Sequence, residues 1–252
     1  MRRRTLLSAL ALALLGCLDD GVRPIDAQRP GPDVAHRVLF IGNSLTYYND
    51  LPQIFEALAA ANGKSVGVFA VTAPGVSLED HWVDGTAANE ISRGNYTLVV
   101  LQQGPSALES SRDLLRAFTR KFDAVIRDHG AKPALYAVWP DASRASDFDR
   151  VHESYALAAA DVDGTLFPVG EAWRAAWRLQ PTLALWSSDG LHPTAAGSYL
   201  AALVMYARLF GEAAAVAPEA LPLGSGRSVR VNAQALATIR QAAAEVGVVT
   251  AR

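Results

Sequence analysis

Five short runs rich in Val, Leu, Ile, Phe and Ala, at residues 37–41, 65–71, 97–101, 134–138 and 166–169, recur along the chain with longer stretches between them. They lack strict alternation of polar and apolar residues, which marks strands buried on both faces. In the intervals, apolar residues return at helical spacing. Asp50 and Pro52 open one such stretch, which carries Ile54, Phe55 and Leu58 to a stop at Asn62-Gly63; another runs from Ser110 through Leu114, Leu115, Phe118, Phe122 and Ile126 to Gly130. Further helices are predicted over 148–160, 194–210 and 233–246. Strands and helices alternating in this way call for a three-layer α/β/α sandwich around a central parallel five-stranded sheet. Functional groups in such a fold belong at the carboxyl ends of the strands.

The first residues have a different character. Arg2, Arg3 and Arg4 precede an apolar run over 6–15 and then Gly16-Cys17. A basic region, a short apolar core and a small residue before the cut describe a secretory signal peptide. About ten apolar residues are too few for the ~20 of a spanning helix. Leu14-Leu15-Gly16-Cys17 resembles a bacterial lipobox, which implies a lipidated Cys17 as the mature N-terminus, and Arg3-Arg4 resembles a twin-arginine export motif. Residues 18–35 are rich in Asp, Pro, Gly and Arg without apolar periodicity, so they read as a tether spanning on the order of 25 Å. The expected organisation is a signal peptide at 1–16, a lipidated Cys and tether at 17–36, and one domain at 37–252, held extracytoplasmically at a membrane of the cell envelope.

Loss of residues 1–16 removes three arginines and no acid, moving the formal charge from −2 to −5. An acidic domain of this kind lacks the basic surface that nucleic acid requires. Cys17 is the only cysteine, so a lipidated chain has no free thiol and no disulfide.

Two short blocks carry chemistry. Gly42-Asn43-Ser44-Leu45-Thr46 follows the first apolar run, and Asp189-Gly190-Leu191-His192-Pro193 lies near the other end. A hydroxyl becomes a useful nucleophile when an imidazole takes its proton, and a carboxylate fixes that imidazole's tautomer and steadies its charged form. Asp189 and His192, three apart on one loop, can meet there while the fold brings Ser44 to them. The two blocks resemble the first and last blocks of the SGNH (GDSL-like) hydrolase superfamily, over residues 37–211. The resemblance implies a flavodoxin-like sandwich of strand order 2-1-3-4-5, with Ser44 as nucleophile and Asp189 and His192 as the remaining triad members. It also implies an oxyanion hole made by the N–H groups of Ser44 and of Gly75, the latter in Ala73-Pro74-Gly75-Val76-Ser77.

The third family block presents an asparagine, whereas this chain has Gln102-Gln103-Gly104-Pro105-Ser106. A glutamine amide offers the same two N–H donors on a longer stem. Gln103 is the expected third donor, because its segment resembles the Gln-Gly-Glu-Ser of some carbohydrate-esterase branches; Gln102 is the alternative, and a strand turns only one of them to the site. Asn43 stands where the family's commoner form has aspartate. A serine just ahead of a helix also gains from the helix dipole.

His36 falls in the tether, His129 at a helix end and His152 within an amphipathic helix, all three read as solvated or structural. His81 reads as a second-shell or surface residue with pocket lining as its alternative, Trp173 and Trp177 as core, and Trp186 as a candidate substrate contact. The spacing of His and acidic residues matches no metal site, and the chemistry needs no cofactor. The expected activity is hydrolysis of small O-acyl, chiefly acetyl, esters of carbohydrate-like molecules. Hydrolysis of lipid acyl esters or thioesters, acyl transfer, and a surface lipoprotein that only binds glycan are the alternatives.

Overall fold

The computed structural model describes residues 28–247 and the backbone of residues 23–24. The expected signal peptide and Cys17 lie outside the described residues. Five parallel strands form the sheet: β2 (His36–Gly42), β3 (Val66–Thr72), β4 (Leu98–Leu101), β5 (Lys132–Ala137) and β6 (Thr165–Pro168). They lie side by side in the order β3-β2-β4-β5-β6, the 2-1-3-4-5 arrangement expected above. β1 (Arg23–Pro24) adds a short antiparallel edge beside β3. Val38, Leu39, Phe40 and Ile41 of β2 are all buried, as their unbroken apolar run requires of a strand covered on both faces.

Helices α1 (Ser44–Tyr47), α2 (Leu51–Ala61), α3 (Leu78–Asp84), α4 (Thr86–Arg93), α5 (Glu109–Asp128), α6 (Phe148–Asp161), α7 (Val169–Leu179), α8 (Ala195–Phe210) and α9 (Ala233–Gly247) complete the layers. A hairpin of β7 (Ala220–Pro222) and β8 (Ser228–Arg230) stands apart from the sheet. α8 is almost wholly buried and packs against α2, α7 and α9. Its close approach depends on Gly197, where a Cβ would come within 2.8 Å of the Leu185 carbonyl and 2.9 Å of the Trp173 ring.

From β2 the chain crosses to β3 on one side and then returns to β4 on the other. The carboxyl end of β2 is therefore the point where strand order reverses and where such sheets open a crevice. Ser44 emerges there.

Part of the expected tether is built into the domain. Arg29 donates from Nε and Nη2 to the Glu90 carboxylate at 2.6 and 2.5 Å, and Tyr96 Oη donates to the same group at 2.6 Å. Burial pushes the Glu90 carboxyl up, but these hydrogen bonds outweigh it and hold it below its ordinary value. The residue needs that cation because its side chain is only 5% exposed. His36, expected in the tether, opens β2 and sits edge-on to Phe210 at 5.2 Å.

Candidate active site

Ser44 occupies the first position of α1, a single turn of helix directly after β2. Its N–H is one of those a helix leaves without an internal partner. The expected dipole contribution is small, because one turn aligns few peptide units. Asn43 caps this turn, its Oδ1 accepting the Leu45 N–H at 3.1 Å, while its Nδ2 donates to the Val76 carbonyl at 3.0 Å. An aspartate there would accept the first bond and repel the second partner. The asparagine thus ties the Ser44 turn to the loop that carries Gly75.

That loop is held at two more points. The Gly42 carbonyl accepts the Ala73 N–H at 3.3 Å and the Nε2–H of His81 at 2.9 Å. Gly75 itself is exposed with φ at 68°, a left-handed conformation that a glycine adopts without strain. His81 is fully buried behind the turn, and burial lowers its imidazole below the ordinary 6.5 despite the Gly42 bond and the nearby Asp84 and Asp80. It therefore anchors the Ser44 turn from beneath rather than lining a pocket.

The carboxyl edge brings the separated blocks together. His192 Nε2 lies 2.9 Å from Ser44 Oγ across 148 positions of sequence, and its Nδ1 lies 2.6 Å from Asp189 Oδ2. The other Asp189 oxygen accepts the N–H groups of Leu191 and His192, each at 2.9 Å, and the Ser187 hydroxyl at 2.8 Å. The bond to His192, followed by these donors, holds the Asp189 carboxyl far below the usual carboxylate range. The group stays ionised and fixes the imidazole tautomer that leaves Nε2 free to accept from Ser44.

Gln102 and Gln103 take different jobs from the one expected. Gln102 Oε1 accepts the Asn43 N–H at 2.9 Å and the Thr46 hydroxyl at 2.7 Å, and its Nε2 donates to Asn43 Oδ1 and the Gln103 carbonyl. Gln103 Nε2 donates to Ser106 Oγ at 2.8 Å and the Ser111 carbonyl at 3.3 Å, and its Oε1 accepts the Leu78 N–H at 3.1 Å. Both hydrogens of each amide are spent within the protein, so neither side chain is left to act as the third oxyanion donor. The reason is burial: the two amides are 0% and 4% exposed, and buried polar atoms take partners from the chain around them.

The tryptophans support the loop that carries Asp189 and His192. Trp139 stacks on Trp173 at 3.7 Å and donates from Nε1 to the Leu191 carbonyl at 2.9 Å. Trp186, the candidate substrate contact, is half-buried, packs among Trp177, Trp173 and Phe148 and donates to the Pro140 carbonyl at 3.2 Å. His129 is exposed and His152 lies half-buried in α6. A cavity of about 270 Å³ borders the loop, lined by Pro105, Leu108, Pro140, Asp141, Arg144 and Leu191 among others.

No protein-family model and no curated protein matches the chain. Solved structures do. A candidate SGNH hydrolase from Slackia heliotrinireducens is 28% identical, with a TM-score of 0.55 over 68% of this chain and 97% of that one. A DUF4886 family protein from Bacteroides uniformis is 19% identical, with a TM-score of 0.66 over 82% and 93% of the two chains. An acetylxylan esterase from Geobacillus stearothermophilus is 14% identical, with a TM-score of 0.54 over 73% and 98%. The likeness to these structures is one of fold, an α/β sandwich with a central five-stranded parallel sheet. In fold the chain is similar to a solved SGNH hydrolase, and its sheet has the strand order that the sequence resemblance implies.

Proposed function

We propose that the chain is a serine esterase that works through a Ser44–His192–Asp189 triad and an acyl-enzyme, and that it removes small O-acyl groups from carbohydrate-like molecules. The 2.9 Å approach of His192 Nε2 to Ser44 Oγ carries this reading. His192 takes the Ser44 proton as the hydroxyl oxygen attacks the ester carbon, and the imidazolium so formed faces the ionised Asp189 at 2.6 Å. The carbonyl oxygen, now negative, is held by the backbone N–H groups of Ser44 and Gly75. Each such donor is typically worth about 10²–10³ in turnover. His192 then hands its proton to the leaving alcohol, and a water attacking the acyl group repeats the sequence in reverse to free Ser44.

Two observations favour a small substrate. The Gln103-Gly104-Pro105-Ser106 segment resembles that of carbohydrate-esterase branches, and the cavity beside the catalytic loop is about 270 Å³, with Asp141, Asp147 and Arg144 set against the apolar Leu108 and Leu191. A lining that combines carboxylates and a guanidinium with hydrocarbon suits the hydroxyls and ring face of a sugar. The Leu14-Leu15-Gly16-Cys17 sequence supports a lipid anchor at Cys17 and action at the cell envelope.

Aryl esters of increasing acyl length test the reading. Acetate is expected to turn over fastest, and Ser44→Ala to abolish hydrolysis at unchanged melting temperature. Preference for acyl chains beyond about eight carbons would replace the carbohydrate substrate with a lipid one, and full activity in Ser44→Ala would end the assignment.

A further inference from the structure

Directly after the nucleophile turn the backbone does something costly. Asn49 and Asp50 both adopt left-handed conformations, with φ of 55° and 59°, although neither is glycine. Such a pair persists only where its surroundings fix it, and strain of this kind gathers at functional sites. The surroundings here are specific. Asn49 Nδ2 donates to the carbonyl of Pro193, the residue after His192, and to Ser198 Oγ, each at 3.0 Å. Ser198 Oγ lies within 3.4 Å of the Tyr48 carbonyl, and Asp50 forms an ion pair with Arg227 of the β7–β8 hairpin. This geometry throws the Tyr48 ring onto His192, where the two rings stack at 4.4 Å with 17° between their planes.

We propose that Tyr48 and Asn49 are positioning residues of the esterase site: Asn49 clamps the His192 loop to the Ser44 turn, and the Tyr48 ring face steadies the imidazolium that forms when Ser44 is deprotonated. This rests on the triad reading above and adds to it a third wall for the imidazole. Asp189 holds its Nδ1 edge and Ser44 meets its Nε2 edge, while Tyr48 covers a face. The phenol ring's π cloud attracts a positive ring more strongly than a neutral one. Its contribution therefore grows between ground state and transition state, where it raises kcat rather than substrate binding. The clamp explains why the strained pair is kept, since an untwisted backbone at Asn49 would carry its amide away from Pro193.

The test uses 4-nitrophenyl acetate, with active sites counted by a fluorophosphonate probe so that kcat is expressed per reactive serine. Tyr48→Phe, which keeps the π face, is expected within twofold of the parent. Tyr48→Leu, which keeps bulk without it, is expected to lose about tenfold in kcat, or about 1.4 kcal/mol, with KM within twofold. Asn49→Gly preserves the left-handed backbone while removing the clamp, and is expected to lower kcat three- to tenfold. Circular dichroism and melting curves should match the parent for Tyr48→Leu. If Tyr48→Leu and Asn49→Gly keep the parent kcat per site, or if Phe falls as far as Leu, the positioning role is wrong while the triad stands. If the parent neither labels nor turns over, the triad reading itself fails, and the two failures are thereby told apart.

Discussion

Gln102 serves Asn43 as a second backbone would. Its amide oxygen accepts the Asn43 N–H at 2.9 Å and its amide nitrogen donates to Asn43 Oδ1, also at 2.9 Å. The pairing joins the end of β4 to the turn that presents Ser44, so Ser44 is braced from the neighbouring strand. Thr46 completes the arrangement by donating to the same oxygen at 2.7 Å.

Replacing Gln102 by Leu keeps bulk and strips these bonds. The Asn43 N–H and the Thr46 hydroxyl are left buried without partners, at a cost of about 1–3 kcal/mol for an unsatisfied group. For a domain of this size, about 2 kcal/mol corresponds to a melting temperature roughly 4–8 °C lower. Turnover should fall along with stability, because Ser44 rides on the freed turn. An unchanged melting temperature in a thermal scan would show that the brace carries no strain.

Gln103 gives a sharper choice between two jobs. Bound to Ser106, Ser111 and Leu78, it should matter for stability more than for catalysis. Gln103→Ala is expected to cost about 1–2 kcal/mol, within the range for an orphaned buried partner, and less than tenfold in kcat. A loss of about 10²–10³ in kcat at parental stability, the signature of a missing oxyanion donor, would return the residue to the hole.

His81 ties stability to pH. Burial depresses its imidazole below 6.5 in the fold, so the unfolded chain binds a proton that the folded chain refuses. Between those two values the unfolded state holds more protons, and stability therefore falls as pH drops below about 6.5. Asp80 and Asp84, on the same helix, oppose the shift without cancelling it. Melting temperatures of the parent and of His81→Asn, measured from pH 7.5 to 5, should converge as pH falls; parallel curves would exclude this linkage.

Arg29 is expected to behave as part of the domain. Arg29→Ala leaves the Glu90 carboxylate buried with Tyr96 as its sole hydrogen-bond partner among these residues. A cost of about 1–3 kcal/mol follows for a buried group stripped of its charged partner, discounted because the guanidinium is half exposed. The double variant with Glu90→Gln should recover most of it. Equal melting temperatures for parent and Arg29→Ala would return this segment to the status of a loose tether.

The parts of this molecule legible from sequence are those where one physical demand dominates. Strands buried on both faces must be apolar nearly throughout, which exposed β2 to β6, and apolar spacing exposed α2, α5, α6, α8 and α9. The Ser44 block and the Asp189–His192 block stood out because each sets chemically distinctive residues in a short segment, and the structure brings the two together. α3 was missed although Ser77 and Asp80 form a capping box, each side chain bonded to the other's backbone N–H, at the spacing that announces a helix start. Of α7 only the helical spacing of Trp173 and Trp177 was legible, because Val169 follows β6 without a loop and read as the end of that strand. Arg29 and Glu90 are 61 positions apart, and nothing local in either announces the other. The glutamines misled for a related reason: an amide's donors can be listed from sequence, but not the Ser106, Ser111 and Asn43 atoms that consume them. Tyr48 and Asn49 carry no local mark of their role, since what makes them count is the arrival of His192 and Pro193 from the far end of the chain.

The central claim is that Ser44 is the activated nucleophile, and covalent labelling tests it most directly. The folded protein, incubated with a fluorophosphonate and digested, should yield a single phosphonylated peptide with the adduct on Ser44, and both His192→Ala and Ser44→Ala should remain unlabelled. A well-folded sample that stays unmodified, or whose adduct maps to any other serine, would contradict the account.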